Sequence, residues 1–455
     1  MSGAASGALT APPPRGPLER FLRIFADVRD GEGPQLVLLA LNVFLILTAY
    51  YVMKPVREAL ILAQPGGAEI KSYAMAGQAL LLVAVVPAYG ALAARLPRRR
   101  LINVVTAFFV ACLPLFYLAA ELKLPVGVPF FLWIGIFSLM VIAQFWAYAN
   151  DLYTPEAGKR LFALVAFGAS SGAVFGAFIS GRLISVLGVH AMLLVASAIL
   201  AASLLLFNLI DLRARARGAP AARSQDDTEA ALGDGNAFAL VLRNRYLLLI
   251  AALILLLNWV NATGEYILSS IVTRAAEADV AAGRLAAEKE GAFIGAFYAE
   301  YFQVVNVAGM LLQLFVVSRI VKFIGVRYAV CILPLVALGS YAVAAIVPSL
   351  VIMRWVKTAE NSVDYSLQNT VAQMLYLPTT REEKYKAKQV TDTFVVRIGD
   401  VLSSATVFVG TSMLALSVSQ FAMVNVVLVV LWLVTAFLLG REFDRRTATS
   451  AAGPA

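Results

Sequence analysis

The chain has 455 residues, of which 60% are hydrophobic and only 14% charged, and its mean hydropathy is +0.80. A soluble domain of this length would carry roughly a quarter charged residues, so the composition excludes a water-soluble globular protein and implies an integral, multi-pass membrane protein. The formal net charge is +9, but the bases cluster in short loops between apolar runs, which points to topology rather than to nucleic-acid binding.

Residues 1–33 contain Pro12, Pro13 and Pro14 followed by a mixed-charge stretch, with no apolar leader core. They are expected to form a tail. A bilayer core of ~30 Å needs about 20 apolar residues in a helix. On that basis spans are expected near 34–62, 71–94, 101–120, 128–150, 161–186 and 190–211. A charged Gly/Ala-rich linker, 212–243, follows, and then spans near 245–272, 293–317, 325–347, 349–377, 388–416 and 418–440, with a tail at 442–455. The reading is an all-α membrane protein of twelve transmembrane helices in two six-helix bundles, 34–211 and 244–441.

The first span ends in "YYVMKPVREALIL" (50–62), where Lys54, Pro55, Arg57 and Glu58 interrupt an apolar run. Charges at membrane depth cost at least ~2.5–3.5 kcal/mol each on insertion scales, which makes their positions the best functional signal in the chain. Lys54 and Arg57 are three apart and share a helical face, and Glu58 cannot neutralise both. In the loops, "RLPRRR" (95–100), Lys159, Arg160, Arg213, Arg215, Arg217, Arg319, Lys322, Arg327, the run 381–388, Arg441, Arg445 and Arg446 fall on one side, against little beyond Lys123 in the short loops of the other. The lysine/arginine rule makes that basic side cytoplasmic, with both termini on it, and a bacterial inner membrane is expected. In "GASSGAVFG", Gly168, Gly172 and Gly176 are spaced by four, a pattern for close helix packing rather than a phosphate loop. No G-x-x-x-x-G-K-[ST] occurs, so no ATP-hydrolysing engine is expected. His190 is the single histidine, and Cys112 and Cys331 lie in separate apolar runs, so no metal site, disulfide framework, cofactor or catalytic set is expected and the protein reads as a non-enzyme.

In the second half, span seven carries Glu265 beside Asn258 and Asn261. The hairpin 273–292 reads as a solvated face. Span ten carries Lys357, Glu360, Asn361 and Asp364, with Lys357, Glu360 and Asp364 on one side of the helix. Span eleven carries Lys388, Asp392, Arg397 and Asp400. "LYTPEAGKR" after span four is echoed by "LYLPTTREEKYK" after span ten, and "FGASSG" by "RIGDVLSS", which suggests an internal repeat and the parallel six-helix repeats of facilitator architecture. Two readings stand for these charges. One is a wet central cavity whose cations meet an anionic small-molecule substrate. The other is a set of interhelical ion pairs that hold conformations shut. In the cavity reading Lys54, Arg57, Glu265, Lys388 and Arg397 contact substrate, while Glu58, Lys357, Glu360, Asp364, Asp392 and Asp400 serve as gating or ion-pair residues. Arginine forks and lysine point charges suit polyphosphate, and Tyr50, Tyr51, Trp146, Tyr148, Trp259 and Tyr365 are candidate stacking partners for a base or, equally, packing residues.

"KPVREALILAQPGGAEIKSY", "FWAYANDLYTPEAGKRLF", "FALVLRNRYL" with "NATGEY", and "AENSVDYSLQNTVAQMLYLPTTREEKYKAKQVTDTF" resemble the non-mitochondrial ATP/ADP translocases, the nucleotide transporters of plastids and intracellular bacteria, thinly between these islands from about 36 to 440. The resemblance implies a twelve-helix, major facilitator-like fold and exchange of ATP for ADP, sometimes with phosphate. It matches the family's helix-one lysine with Arg57, its helix-seven glutamate with Glu265 and its helix-eleven lysine with Lys388. The family's helix-four glutamate has no counterpart, since its place falls near Ile134. The expectation is therefore a monomeric ATP:ADP antiporter working by alternating access, in contact with membrane lipid and with no nucleic-acid partner. The rivals are a carrier of another organic anion or nucleotide coupled to protons or phosphate, and a non-transporting receptor or scaffold of the same fold.

Overall fold

The computed structural model describes residues 17–24, 26–29, 31–216 and 237–451. Of the expected tails and linker, residues 1–16, 25, 30, 217–236 and 452–455 lie outside these. After a short α1 (Pro17–Leu22), the first half comprises α2 (Gly33–Leu62), α3 (Gly67–Arg95), α4 (Arg98–Glu121), α5 (Gly127–Leu152) and α6 (Pro155–Ala216). The second comprises α7 (Ala237–Arg243), α8 (Arg245–Ala281), α9 (Glu290–Phe315), α10 (Val317–Ala329), α11 (Ile332–Ile346), α12 (Leu350–Val363), α13 (Asn369–Met374), α14 (Arg381–Val390), α15 (Val396–Phe408) and α16 (Val418–Ala451). All the regular structure among the described residues is helical.

Eight helices are by themselves long and apolar enough to cross a membrane, and a bent pair, Ala287–Phe315 with Val317–Ala329, makes a ninth. The expected twelve passes emerge once the breaks are followed. The 62-residue α6 reverses at Gly188 (φ 81°, ψ 169°) and supplies passes five and six. Gly325 (φ 74°, ψ 167°) divides α10, so that pass nine runs from there through α11. Both glycines have positive φ, which L-residues with side chains adopt at a cost. Passes ten and eleven are interrupted by π turns, Asp364–Gln368 between α12 and α13 and Thr391–Val395 between α14 and α15. The expected loop 273–292 is largely helical, since α8 runs on to Ala281, and Arg284 there pairs with Asp279 in solvent.

Two apolar cores form. One gathers α2, α4, α5 and α6 around Phe109, Phe130 and Phe137; the other gathers the second-half helices around Tyr246, Tyr298, Tyr341 and Trp432. The glycine series of α6 does pack helices. A Cβ at Gly168 would sit 2.6 Å from the Ala40 carbonyl oxygen of α2, one at Gly172 would meet the Phe44 carbonyl, and one at Gly176 the Thr48 carbonyl. Gly399 of α15 plays the matching part against α8, where a Cβ would lie 2.7 Å from Asn258 Cβ. Pass five thus lies on pass one as pass eleven lies on pass seven.

The loop 95–100, Lys159, Arg327 and the run 381–388 mark one end of the molecule, called here the basic end. There Arg98 pairs with Asp151, Arg99 with Asp211 at 3.3 Å, Arg160 with Glu32 at 2.9 Å and Arg327 with Asp444 at 3.1 Å. Each pair stays within one half.

Candidate functional site: an alternating charge chain between the bundles

The α2–α3 connection decides the site. Gln64, Pro65 and Gly66 (φ 70°) turn the chain so tightly that a Cβ at Gly67 would stand 2.6 Å from the Ile61 carbonyl oxygen. Glu58 lies one turn before the end of α2 and Lys71 one turn into α3, so the hairpin sets them opposite each other. Lys71 Nζ is 2.8 Å from Glu58 Oε2, while Arg57 holds the other oxygen through Nε at 3.0 Å and through Nη2.

From there the chain passes into the second half. Glu265 of α8 lies 3.6 Å from Lys71 and 3.8 Å from Lys357 of α12. Lys357 donates to Asn261 Oδ1 at 2.9 Å and to Glu360 Oε1 at 3.2 Å. Gly264 makes room for it, since a Cβ there would sit 3.1 Å from Lys357 Nζ. Tyr341 Oη donates to Glu360 Oε1 at 3.1 Å, and Asn361 Nδ2 donates to Tyr301 Oη at 2.6 Å. The order Arg57, Glu58, Lys71, Glu265, Lys357, Glu360 alternates in sign throughout. It is largely dry: the side chains of Lys357 and Glu58 are 0% and 1% exposed, and the most open member, Glu265, is 20% exposed. Desolvation makes such a chain a poor source of net stability, but removing one member leaves its neighbours short of a buried counter-charge, at a cost of several kcal/mol.

Sequence reasoning missed Lys71. It sits at the edge of the apolar window, where a lysine ordinarily extends its ammonium into water. The available signal was a cation one turn past a Q-P-G-G turn, with an acid, Glu58, one turn before the end of the preceding helix. Glu58 does neutralise two cations, but they are Arg57 and Lys71. Lys54 makes no ion pair among the described residues. Its ammonium instead lies 4.2 Å from the ring centroid of Phe302 in the other half, 4.9 Å from Tyr51 and 5.7 Å from Tyr50, cation–π contacts that partly replace its lost water.

The span-eleven residues stand apart from this chain. Lys388 bonds Gln373 and lies 5.4 Å over the Tyr376 ring. Arg397 pairs locally with Asp400 at 3.1 Å, and Asp392 accepts from Thr391 Oγ1 at 3.2 Å. Asp364 and Asp392 instead line a cavity of about 480 Å³ with Tyr365, Gln368, Asn369 and Gln373, nearer the basic end. Of the candidate stacking aromatics, Trp146 packs on Phe162, Tyr148 on Phe207, and Trp259 donates to Thr406 at 3.0 Å; Tyr50, Tyr51 and Tyr365 remain near the charges.

Three hydrogen bonds join the halves on the level of the charge chain or beyond it, away from the basic end. Lys71 donates to Ser269 Oγ at 2.9 Å, Tyr266 Oη to Glu69 Oε1 at 3.1 Å and Ser404 Oγ to the Ser72 carbonyl at 2.5 Å. Gly295 of α9 admits Ala59 of α2, whose Cβ would lie 3.3 Å from an added one. These contacts clasp the two bundles at the end away from the basic one.

Residues 39–373 match the Major Facilitator Superfamily. No curated protein sequence matches the chain. Among solved structures it is similar to a bacterial homologue of the iron transporter ferroportin in an inward-facing state (TM-score 0.63, 13% identity, covering 90% of this chain and 98% of that one). It is also similar to a bacterial homolog of the human lysosomal transporter Spinster, inward-facing and unoccupied (0.60, 14%, 91% and 99%), and to the nucleoside transporter NupG (0.58, 13%, 90% and 98%). At these identities the likeness is one of fold.

Proposed function

This chain belongs to the Major Facilitator Superfamily, and we propose that, as a secondary transporter of that kind and not an enzyme, it exchanges ATP for ADP by alternating access of its two bundles. The observation that carries the reading is the competition built into the charge chain. Arg57 and Lys71 share Glu58, and Lys71 and Lys357 share Glu265. An incoming polyphosphate takes over cations and frees their carboxylates, which loosens the Lys71–Glu265 tie between the halves. Lys54, with no carboxylate of its own and three rings around it, is the natural first contact for phosphate, and Tyr50 and Tyr51 flank the place of a base. With no anion present the chain closes on itself, which favours exchange over one-way leakage. The resemblance to nucleotide translocases at Arg57, Glu265 and Lys388 supports the choice of nucleotide. In this reading Lys388 and Arg397 guide the substrate in from the basic end. That end and both termini are cytoplasmic, the membrane is a bacterial inner membrane, and the carrier works as a monomer. Proteoliposomes loaded with ADP should take up labelled ATP, and should not do so when empty. Uptake of no nucleotide at all would remove the nucleotide from the proposal.

A second reading rests on a different observation. Among the described residues, Lys54 is the cation beside the chain that makes no ion pair, and the cavity toward the basic end is lined by two carboxylates, Asp364 and Asp392. That balance favours a less highly charged organic anion, carried with a proton. Uptake driven by an inward proton gradient into vesicles without internal substrate would select this reading over exchange.

A further inference from the structure

At the basic end of the second bundle, α7, α8, α14 and α16 line an open groove of about 610 Å³, apart from the charge chain. Arg243, Asn244, Arg245, Glu382, Lys386 and Arg446 line it. Its frame is fixed by hydrogen bonds. Asn244 caps α8 by accepting from the Tyr246 N–H at 3.1 Å, donates to Glu383 Oε1 at 2.6 Å and accepts from Arg446 Nη2 at 2.8 Å. Glu383 is itself locked by the capping box with Thr380 at the start of α14. The Arg446 guanidinium lies over the buried Tyr246 ring, 4.6 Å from its centroid.

Charge is not balanced there. Lys386 is taken by Glu382 at 2.6 Å, and Arg446 is shared with Glu383 at 3.7 Å. Arg243 and Arg245 make no ion pair among the described residues and stand exposed at the rim. Beside them α7 turns Phe238 (44% exposed) and Leu242 (67% exposed) outward. Apolar side chains next to arginines at the mouth of a membrane span belong in the headgroup layer, where rings and leucines enter the acyl boundary and cations meet phosphates.

The geometry points to a binding site for the phosphate of an anionic phospholipid headgroup, held by Arg243 and Arg245 and backed by Lys386 and Arg446, with the lipid's chains running along Phe238 and Leu242. The site would tether α7 to the membrane surface where the chain enters the second bundle. Arginine forks match phosphate oxygens two at a time, and each cation at a membrane surface contributes enough that losing two weakens the contact about 30-fold.

The test uses the full-length protein in detergent, with native mass spectrometry counting bound phosphatidylglycerol and phosphatidylcholine. Phosphatidylglycerol should bind about 30-fold more weakly to the Arg243→Gln/Arg245→Gln variant, while phosphatidylcholine binds both proteins equally. A control variant, Lys159→Gln/Arg213→Gln, removes two exposed cations from the same end of the first bundle and should bind phosphatidylglycerol as the parent does. Millimolar inorganic phosphate should not compete. Equal binding by parent and variant overturns the site. An equal loss in the control reduces it to bulk charge and also overturns it. Competition by inorganic phosphate makes the ligand a soluble anion and overturns the lipid.

Discussion

Lys71 of α3 reaches Glu265 of α8 at 3.6 Å, and among the described residues this is the one ion pair that joins the two halves of the molecule. The same ammonium holds Glu58 at 2.8 Å and Ser269 at 2.9 Å. One side chain, placed by a four-residue turn, therefore links the first bundle's charges to the second's. A carrier that alternates must break this contact in each cycle.

Replacing Lys71 with Met should open the clasped end. Glu58 keeps Arg57 and Glu265 keeps Lys357, but both lose a buried cation, a change worth about 3 kcal/mol against the clasped form, or more than a hundredfold in population. In a background lacking Cys112 and Cys331, a cysteine at the buried Thr273 should then react with a membrane-impermeant maleimide at least about ten times faster. An unchanged labelling rate would mean that the pair does not hold the clasp.

Lys54 and Lys388 should differ in kind. Lys54→Met removes the uncommitted cation at the charge chain and should cut saturated exchange at least about tenfold, because its contact with the anion is needed to loosen the clasp. Lys388→Gln acts on a side chain held by Gln373 near the basic end and should raise KM a few-fold with kcat nearly unchanged, as loss of an entry contact does. Initial-rate kinetics in ADP-loaded vesicles separates them. Identical losses in both parameters for both variants would place the two lysines in one site.

Gly172→Ala should lower stability by about 2 kcal/mol, since the methyl would strike the Phe44 carbonyl of α2, a backbone atom that cannot step aside. Gly90→Ala in α3, where nothing lies within 4 Å of the added carbon, should be neutral or slightly stabilising. Thermal unfolding in detergent compares the two. Equal midpoints would mean that α6 and α2 can separate without cost.

The outline of this fold was legible because each of its signals is local. Twenty-residue apolar runs, basic loops and a four-residue glycine period do not depend on partners, and α2, α5 and α6 fall where those patterns place them. The charges were legible in type and depth but not in direction. Glu58, Glu265, Lys357 and Glu360 meet because a Q-P-G-G turn and Gly264 set distances that no spacing within one helix contains. Arg397 stays out of the chain because Asp400, one turn on, captures it, and the π turn Thr391–Val395 changes the helical phase that a regular 3.6-residue count assumes between Lys388 and Arg397. Lys71 was overlooked because the beginning of a span is where a lysine usually needs no explanation.

At the basic end, Glu32 should confer a pH dependence of known sign. Burial pulls its carboxyl pKa up, but the hydrogen bond from Arg160 and the Arg29 backbone N–H at 2.8 Å outweigh that, and the group titrates below the ordinary glutamate value. Because the folded pKa is the lower one, the contact stabilises the protein fully above the unfolded value near 4.5 and loses its effect as pH falls through the folded one. Glu32→Gln should thus unfold earlier than the parent at pH 7, by less than about 1 kcal/mol for so accessible a pair, and the two curves should converge at acid pH. Curves that stay parallel down to pH 3 would show that Glu32 acts through its shape and its cap position, since charge is the only one of these that acid removes.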